Sequence, residues 1–207
     1  MVLRLYSHPT SSSKALLNNE KGLHIDKDHF MTISPDEGSM NRAIYLANVL
    51  GVDMGMYYKR LDYSRYVNGR HPIAAYEFLG PKIEGKDMIL IDDMISSGDT
   101  IIKIASLLKE KGAGRVYICS TFGFFTDGLD KFDDAYKKGY FDKLLTTNLV
   151  YQSPELLEKP YYISCDMSKY IALIIDTLNH DTSVSHLLNP VDRIKRCVTN
   201  YMSQHEK

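Results

Sequence analysis

The chain is 207 residues long with a formal net charge of −1, and hydrophobic and charged residues make up 44% and 25% of it. This composition is typical of a globular domain large enough to bury a core, and it excludes an intrinsically disordered chain. The nearly balanced charge gives no reason to expect a nucleic-acid or membrane surface, so any anion site must be local.

The amino terminus and the cysteines indicate the compartment. The opening MVLRLYSHPT has too short an apolar part for a signal peptide, and the later apolar runs are far shorter than a membrane span. The three cysteines, Cys119, Cys165 and Cys197, show no C-x-x-C spacing. We therefore expect buried thiols in a cytoplasmic protein that binds neither membrane nor nucleic acid.

Strands and helices alternate along the chain, which predicts an α/β fold with a doubly wound, mainly parallel sheet in a single domain. The predicted strands are FMTIS, VDMGMYYK, MILIDD, RVYICST, KLLTTNLV and YYISCD. The first is followed by a helix that stops at Gly51, with an apolar stripe of Ala43, Leu46, Ala47 and Leu50. The last precedes a helix that carries Ile171, Ile174, Ile175 and Leu178. A tail helix after Asn189, with Val191, Ile194, Val198 and Tyr201 on one face, is expected to pack on its own domain.

The stretch MILIDDMISSGDTI, from Met88 to Ile101, predicts a ligand site. A short apolar run reads as a strand buried on both faces, with Asp92 and Asp93 at its carboxyl end. Ser96, Ser97, Gly98, Asp99 and Thr100 then lead into a helix whose stripe is Ile101, Ile104, Ala105 and Leu108. A helix amino terminus favours a phosphate, and paired carboxylates suit sugar hydroxyls or Mg²⁺. Helix capping alone explains one acid but not two, so a phosphorylated sugar is the better interpretation.

Two further segments have the same character. SPDEGSMNR places Asp36, Glu37, Gly38 and Ser39 in an acidic turn between strand and helix, which is either a cap or a second phosphate or metal site. The long loop KRLDYSRYVNGRHP carries the basic residues Lys59, Arg60, Arg65, Arg70 and His71. It is either a solvated basic face or a lid that closes over phosphate.

These segments resemble a known family. ILIDDMISSGDT looks like the PRPP-binding motif of type I phosphoribosyltransferases. ISPDEGSMNRA, the loop from Lys59, RVYICSTFGFFTDG and TTNLVYQ occur in the order found in the C-terminal half of ribose-phosphate diphosphokinase (PRPP synthetase). The resemblance divides the chain into residues 1–30, which contain a remnant of the joint between two halves, a phosphoribosyltransferase-like domain at 31–188, and a tail helix at 189–207.

The resemblance implies transfer of diphosphate from Mg-ATP to ribose 5-phosphate, which makes PRPP for nucleotide biosynthesis. Asp92 and Asp93 would hold the ribose hydroxyls, and together with Asp36 they would hold Mg²⁺. Residues 96–100 would bind the 5-phosphate and residues 36–39 the diphosphate. Lys59 and Arg60 would be the catalytic cations. Expected partners are ribose 5-phosphate, PRPP and ATP, together with further copies of the chain or a complete family subunit.

Three departures from the family pattern keep alternatives open. Leu61 stands where a second cation is expected, Asp99 adds an acid to the phosphate loop, and the N-terminal half that supplies adenine contacts in the family has no counterpart. A non-catalytic partner or regulator that binds PRPP or ribose 5-phosphate is therefore one alternative. A phosphoribosyltransferase that acts on a base is another, although no segment is clearly suited to cradle the base.

Overall fold

The computed structural model describes residues 8–64, 66, 69 and 73–205. Its strands are β1 Phe30–Ser34, β2 Asp53–Leu61, β3 Ile73–Leu79, β4 Asp87–Ile95, β5 Val116–Gly123, β6 Lys143–Thr147 and β7 Tyr162–Cys165. Its α-helices are α1 His8–Asn19, α2 Met40–Leu50, α3 Asp99–Glu110, α4 Asp130–Lys137, α5 Pro154–Leu157, α6 Ser168–Asn179, α7 Ser185–Leu188 and α8 Val191–His205. A single 3₁₀ turn, Glu37–Ser39, leads into α2.

The strands form one seven-stranded sheet in the order β3-β2-β1-β4-β5-β6-β7. All neighbours are parallel except β2 and β3, which form an antiparallel pair at one edge. The chain leaves β1 toward one edge of the sheet and returns at β4 to build the other half. The predicted doubly wound, mainly parallel sheet is therefore confirmed, with its topological switch point between β1 and β4.

Helices cover both faces of the sheet because the central strands are apolar on both sides. Met88 and Leu90 of β4 belong to the core beneath α3 and α4, whereas Ile89 and Ile91 belong to the core beneath α1, α2 and α8. The tail helix α8 packs on α1, and the Tyr201 hydroxyl donates a hydrogen bond of 2.9 Å to the Glu20 carbonyl. It also packs on α2, so the expectation that this helix packs on its own domain is confirmed, whereas the predicted domain bounds stay a prediction.

The predicted helical stripes differ in outcome. All four stripe residues of α3 are at most 3% exposed, and α2 ends at Gly51, whose φ of 72° only glycine adopts readily. In α6, by contrast, Ile175 and Leu178 are 62% and 59% exposed, so these two residues do not join the core as the stripe suggested. Thr177 is the residue of α6 that is buried.

Strand β3 was not predicted, although six of the seven residues in IAAYEFL are hydrophobic and only Glu77 interrupts them. Within the described residues it pairs with β2 at the edge of the sheet, and it directly follows residues 59–72, which were interpreted as a long polar loop. Helices α1, α4, α5 and α7 were not predicted either. No helix within the described ranges is long and apolar enough to cross a bilayer.

Candidate functional site

The candidate site lies at the carboxyl edge of the sheet, at the switch point between β1 and β4. The pairing of β4 with β1 ends at Leu90, whereas its pairing with β5 continues to Ile95. Asp92 and Asp93 were predicted at the carboxyl end of the strand, but β4 continues beyond them to Ile95 because its pairing with β5 extends the ladder on one side. On the side of β1 the two acids still stand beyond the last paired residue, in the crevice where open α/β sheets bind ligands.

A direct hydrogen bond joins the acidic turn after β1 to the acid pair of β4. The Ser39 hydroxyl donates to Asp92 Oδ1 at 2.7 Å, and the Asp93 backbone N–H donates to the same oxygen at 2.8 Å. The first turn is itself braced, because Asp36 caps the 3₁₀ turn by accepting from the Ser39 N–H at 3.3 Å. The acidic turn after β1 and the acid pair of β4 therefore form one polar unit.

Arg42 is part of this unit, although no sequence pattern had singled it out. Its guanidinium donates to the Ser39 hydroxyl at 3.1 Å and to the Gly38 carbonyl at 3.3 Å. It also lies 3.5 Å from Asp93 Oδ1 and 4.0 Å from Asp92 Oδ1. Only 14% of the side chain is exposed, so Arg42 is a largely buried counter-charge for the acid pair.

Burial changes the acidity of Asp92. Desolvation of its carboxylate is the largest effect and raises the pKa to about 6, aided by the neighbouring charges of Asp36 and Asp93. The hydrogen bonds from Ser39 and from the Asp93 amide oppose this rise. Asp92 thus changes charge close to neutral pH, as buried carboxylates at ligand sites often do.

The second turn, residues 96–98, leads directly into α3. Gly98 precedes the helix with a φ of 85°, and a Cβ at this position would lie 2.3 Å from Cζ of Phe132. Glycine is therefore required both by the backbone and by the packing. All five predicted loop residues, 96–100, line a cavity of about 160 Å³ together with Asp36 and Asp92.

Asp99 is paired with a cation outside the loop. Lys131 of α4 donates to Asp99 Oδ1 at 2.8 Å and to Asp127 at 2.9 Å. Asp99 Oδ2 accepts from the Ser97 hydroxyl at 3.0 Å. The pKa of Asp99 is lowered, first by the hydrogen bond from Lys131 and then by that from Ser97. The acid in the phosphate loop is thus balanced by Lys131, which keeps it ionised.

A second, larger cavity of about 420 Å³ opens on the other side of the first turn. Its wall consists of Asp36, Glu37, Gly38, Tyr58, Lys59, Leu61 and Tyr63. Lys59 Nζ lies 3.5 Å from Asp36 Oδ2, so the predicted catalytic lysine does reach the acidic turn. Asp36 lines both cavities and marks the place where they meet.

Arg60 is not brought into the site. Its Nε donates to Glu77 of β3 at 2.7 Å, and both side chains are more than half exposed. Its predicted catalytic role stays a prediction that requires this pair to break. Arg65, Arg70 and His71 of the predicted lid lie outside the described residues.

The carboxylates suit Mg²⁺ in type, since this ion prefers one or two carboxylates supplemented by water and phosphate oxygens. No group of three or more metal-ligating side chains is found in the described part of the chain. Asp92 and Asp93 nevertheless provide two neighbouring hard donors, and Asp92 lines the same cavity as the phosphate loop. The donor set therefore fits an ion shared with a phosphorylated ligand, and it does not fit an all-protein metal cage.

Comparisons with known proteins agree with this geometry. Residues 70–189 match the family described as the phosphoribosyl synthetase-associated domain. Ribose-phosphate pyrophosphokinase of Vibrio parahaemolyticus is 29% identical over 163 residues, which cover 78% of this chain and 49% of that protein. The enzyme of the same name from Thermococcus kodakarensis is 31% identical over 58% of this chain and 39% of its own length. The chain thus spans about half the length of the curated relatives it matches.

A crystal structure supports the fold independently. Phosphoribosylpyrophosphate synthetase from Mycobacterium smegmatis superposes with a TM-score of 0.61 at 24% identity, over 73% of this chain and 45% of that one. The fold, with the crevice at its switch point, is of the type I phosphoribosyltransferase-like class. Within that class, the chain belongs to the phosphoribosyl synthetase-associated domain family. The predicted resemblance to the C-terminal half of ribose-phosphate diphosphokinase is confirmed.

Proposed function

We propose that this chain binds ribose 5-phosphate or PRPP at the crevice between β1 and β4, as the catalytic half of a ribose-phosphate diphosphokinase does. The hydrogen bond from Ser39 to Asp92 carries the proposal. It joins the turn that we assign to the diphosphate to an acid pair that can bind sugar hydroxyls. The phosphate loop opens into the same cavity as Asp92 and Asp36. The names of the relatives agree with this ligand class.

Each part of the ligand has a matching group. The 5-phosphate is assigned to residues 96–100, where the start of α3 presents backbone N–H groups and the positive end of a helix dipole. The ribose hydroxyls are assigned to Asp92 and Asp93, and the diphosphate to residues 36–39. Lys59, beside Asp36, is assigned to the transferring phosphoryl group, whose negative charge it would stabilise.

Mg²⁺ would be held by Asp92 and Asp93, together with Asp36, and would neutralise phosphate charge when bound. The protein's own task is to orient the acids. Arg42 contacts both Asp93 and Ser39, and the raised pKa of Asp92 means that this carboxylate is only half ionised at about pH 6. Cytoplasmic location and assembly with further family subunits remain part of this proposal.

A regulator that binds the sugar phosphate without turnover is the second candidate. Leu61 in the wall of the larger cavity favours it, because an apolar side chain there adds no charge stabilisation to the transition state. Arg60, the adjacent cation, is held by Glu77. Assay of AMP and PRPP after incubation with Mg-ATP and ribose 5-phosphate can exclude the second candidate, because turnover comparable with that of ordinary kinases would contradict a regulator. We expect little or no turnover by this chain alone.

Calorimetry tests the proposed ligand directly. The protein is titrated with ribose 5-phosphate in the presence of Mg²⁺, alongside the double variant Asp92→Asn, Asp93→Asn. The variant should lose binding and stay folded, because amides keep the size of the carboxylates while removing their charge. Lys82→Met is the matched control, since Lys82 pairs with Glu84 at an exposed site away from both cavities. Unchanged affinity in the double variant would refute the proposal.

A further inference from the structure

A groove runs between α3 and α4, on one face of the sheet and outside the crevice between β1 and β4. Its volume is about 410 Å³, which lies within the range of small-molecule sites. Small side chains form its floor, since Ser106 of α3 and Ala135 of α4 are 6% and 2% exposed. Because side chains of this size do not fill the space between the two helices, the groove is large enough for a small ligand.

The charges that line this groove are unevenly paired. The wall contains three lysines and two aspartates, namely Lys103, Lys131, Lys138, Asp99 and Asp134. Lys131 pairs with Asp99 at 2.8 Å, and Asp134 lies 3.9 Å from Lys137. In the described part of the chain, no ion pair involves Lys103 or Lys138. Two lysines, one in α3 and one at the end of α4, thus line the same cavity, and their mutual repulsion would be relieved by an anion between them.

Asp99 connects the groove with the phosphate loop, because it lines both this groove and the cavity of about 160 Å³. Lys131, which balances the charge of Asp99, also lines the groove. The Lys131 and Asp99 side chains are 42% and 66% exposed, so their ion pair is weak and an anion in the groove can compete for the lysine. Asp99 would then present an unbalanced negative charge to a phosphate at the loop.

We infer that the groove between α3 and α4 binds a small polyanion, and that this anion weakens the binding of a phosphorylated sugar at residues 96–100. Lys103 and Lys138 hold the anion, and Lys131 leaves Asp99 to contact it. A lysine ammonium is a point charge with rotatable donors, so a phosphate chain and a polycarboxylate both have the required chemistry. The effect on the sugar phosphate rests on the proposed function, whereas the anion site itself does not.

Calorimetric titration of the full chain with inorganic tripolyphosphate and, separately, with citrate tests the anion site directly. A chelator keeps Mg²⁺ from binding the two anions. The groove variant is Lys103→Met, Lys138→Met. Its matched control is Lys169→Met, Lys195→Met, which removes the same charge from exposed helical positions outside the groove wall.

We expect the wild type and the control to bind tripolyphosphate in the groove roughly 10-fold or more tightly than the groove variant, because the variant loses two charged donors. Any binding of the anion in the crevice is common to all three proteins and does not affect the difference. Equal affinity for citrate shows that charge alone selects the ligand, and a preference for tripolyphosphate identifies a phosphate chain. Identical titrations of the three proteins overturn the inference.

The affinity for ribose 5-phosphate, measured at a fixed concentration of free Mg²⁺, tests the coupling. Saturating tripolyphosphate should weaken it about 5-fold in the wild type and the control, but not in the groove variant. Lys131→Met should still bind tripolyphosphate and should lack the effect, because the connecting lysine is gone. Competition in the crevice would differ, since the apparent affinity would then fall without a plateau and would fall equally in the groove variant, and that result overturns the coupling. Failure of ribose 5-phosphate to bind even without tripolyphosphate contradicts the proposed function, and the direct titration then decides on the anion site alone.

Discussion

The two turns of the site follow one sequence plan, a strand followed by acids, a glycine and a helix, yet they differ in how they are held. The turn after β4 is fixed by packing, because Gly98 lies against the buried ring of Phe132 with a φ of 85°. The turn after β1 is held by charged side chains. Lys59 pairs with Asp36, and Arg42 donates a hydrogen bond to Ser39 and pairs with Asp93. A packed turn has a rigid shape. In a turn held by charge, the cationic side chains can leave their carboxylate partners and contact a ligand instead.

The largest effect is expected from adding one carbon to the packed turn. Gly98→Ala places a methyl group on the Phe132 ring and forces an L-residue into a left-handed conformation. Strain and overpacking together should lower the free energy of unfolding by roughly 2 to 5 kcal/mol. Urea denaturation monitored by circular dichroism measures the loss.

Gly38→Ala is the control in the other turn. Its φ is not in the positive range, and the added Cβ would lie 3.3 Å from Asp36 Oδ1, the single atom it meets within 4 Å. A small change in stability is expected, since a flexible carboxylate can shift by a few tenths of an ångström. Equal destabilisation by both substitutions would abolish the distinction between a packed and a charge-held turn.

Arg42→Met should produce the next largest effect. The substitution leaves the partly buried acids Asp92 and Asp93 without their nearby guanidinium and removes a donor to Ser39. We expect a loss of roughly 1 to 3 kcal/mol of stability at pH 8. Because Mg²⁺ can then replace the missing charge, thermal stabilisation by Mg²⁺ should be larger in the variant than in the wild type. Arg42→Lys, which retains the charge, should fall between them.

The raised pKa of Asp92 predicts that Asp92→Asn stabilises the protein at high pH, whereas Arg42→Met destabilises it. The pKa of Asp92 is about 6 in the folded state and 3.8 ordinarily, so the folded protein binds this proton more tightly than the unfolded chain does. The protein therefore loses stability as the pH rises from 3.8 to about 6. Asp92→Asn removes that penalty and can still accept the hydrogen bonds from Ser39 and the Asp93 amide. Metal-free variant protein should gain on the order of 1 to 2 kcal/mol at pH 8.

The comparison at low pH gives the control for Asp92→Asn. At pH 4 the carboxyl is mostly protonated in the folded state, and the difference between variant and wild type should nearly vanish. Urea midpoints measured at both pH values in the presence of a chelator decide the matter. A constant difference at pH 4 and pH 8 would show that burial of charge at Asp92 is not its cause.

The sequence could predict local patterns in both turns, but not the contacts that distant elements make with them. Residues 36–39 and 96–100 could be proposed from sequence because each is a local pattern, a buried strand followed by short polar residues. The contact of Arg42 with Asp93 depends on how α2 and β4 approach each other, and no local pattern records that distance. The balance of Asp99 by Lys131 was missed for the same reason, since α4 was not predicted. β3 was missed although six of its seven residues are hydrophobic, because it directly follows the polar stretch that was interpreted as a loop.

The smallest effect is expected from Lys131→Met, which leaves the packing of the rigid turn intact but removes an external charge. Both members of the Lys131–Asp99 pair are well exposed, so the melting temperature should hardly change. Ligand affinity is different. Asp99 opens into the phosphate cavity, and without its cation its negative charge would repel an incoming phosphate. The affinity for ribose 5-phosphate should fall severalfold at low ionic strength and recover partly in high salt, which screens exposed charges.

Asp99→Asn added to Lys131→Met should restore affinity at low salt, because it removes the repelling charge itself. If the double variant stayed as weak as Lys131→Met, the lysine would act by holding the loop in shape, and the packed turn would depend on charge as the other one does.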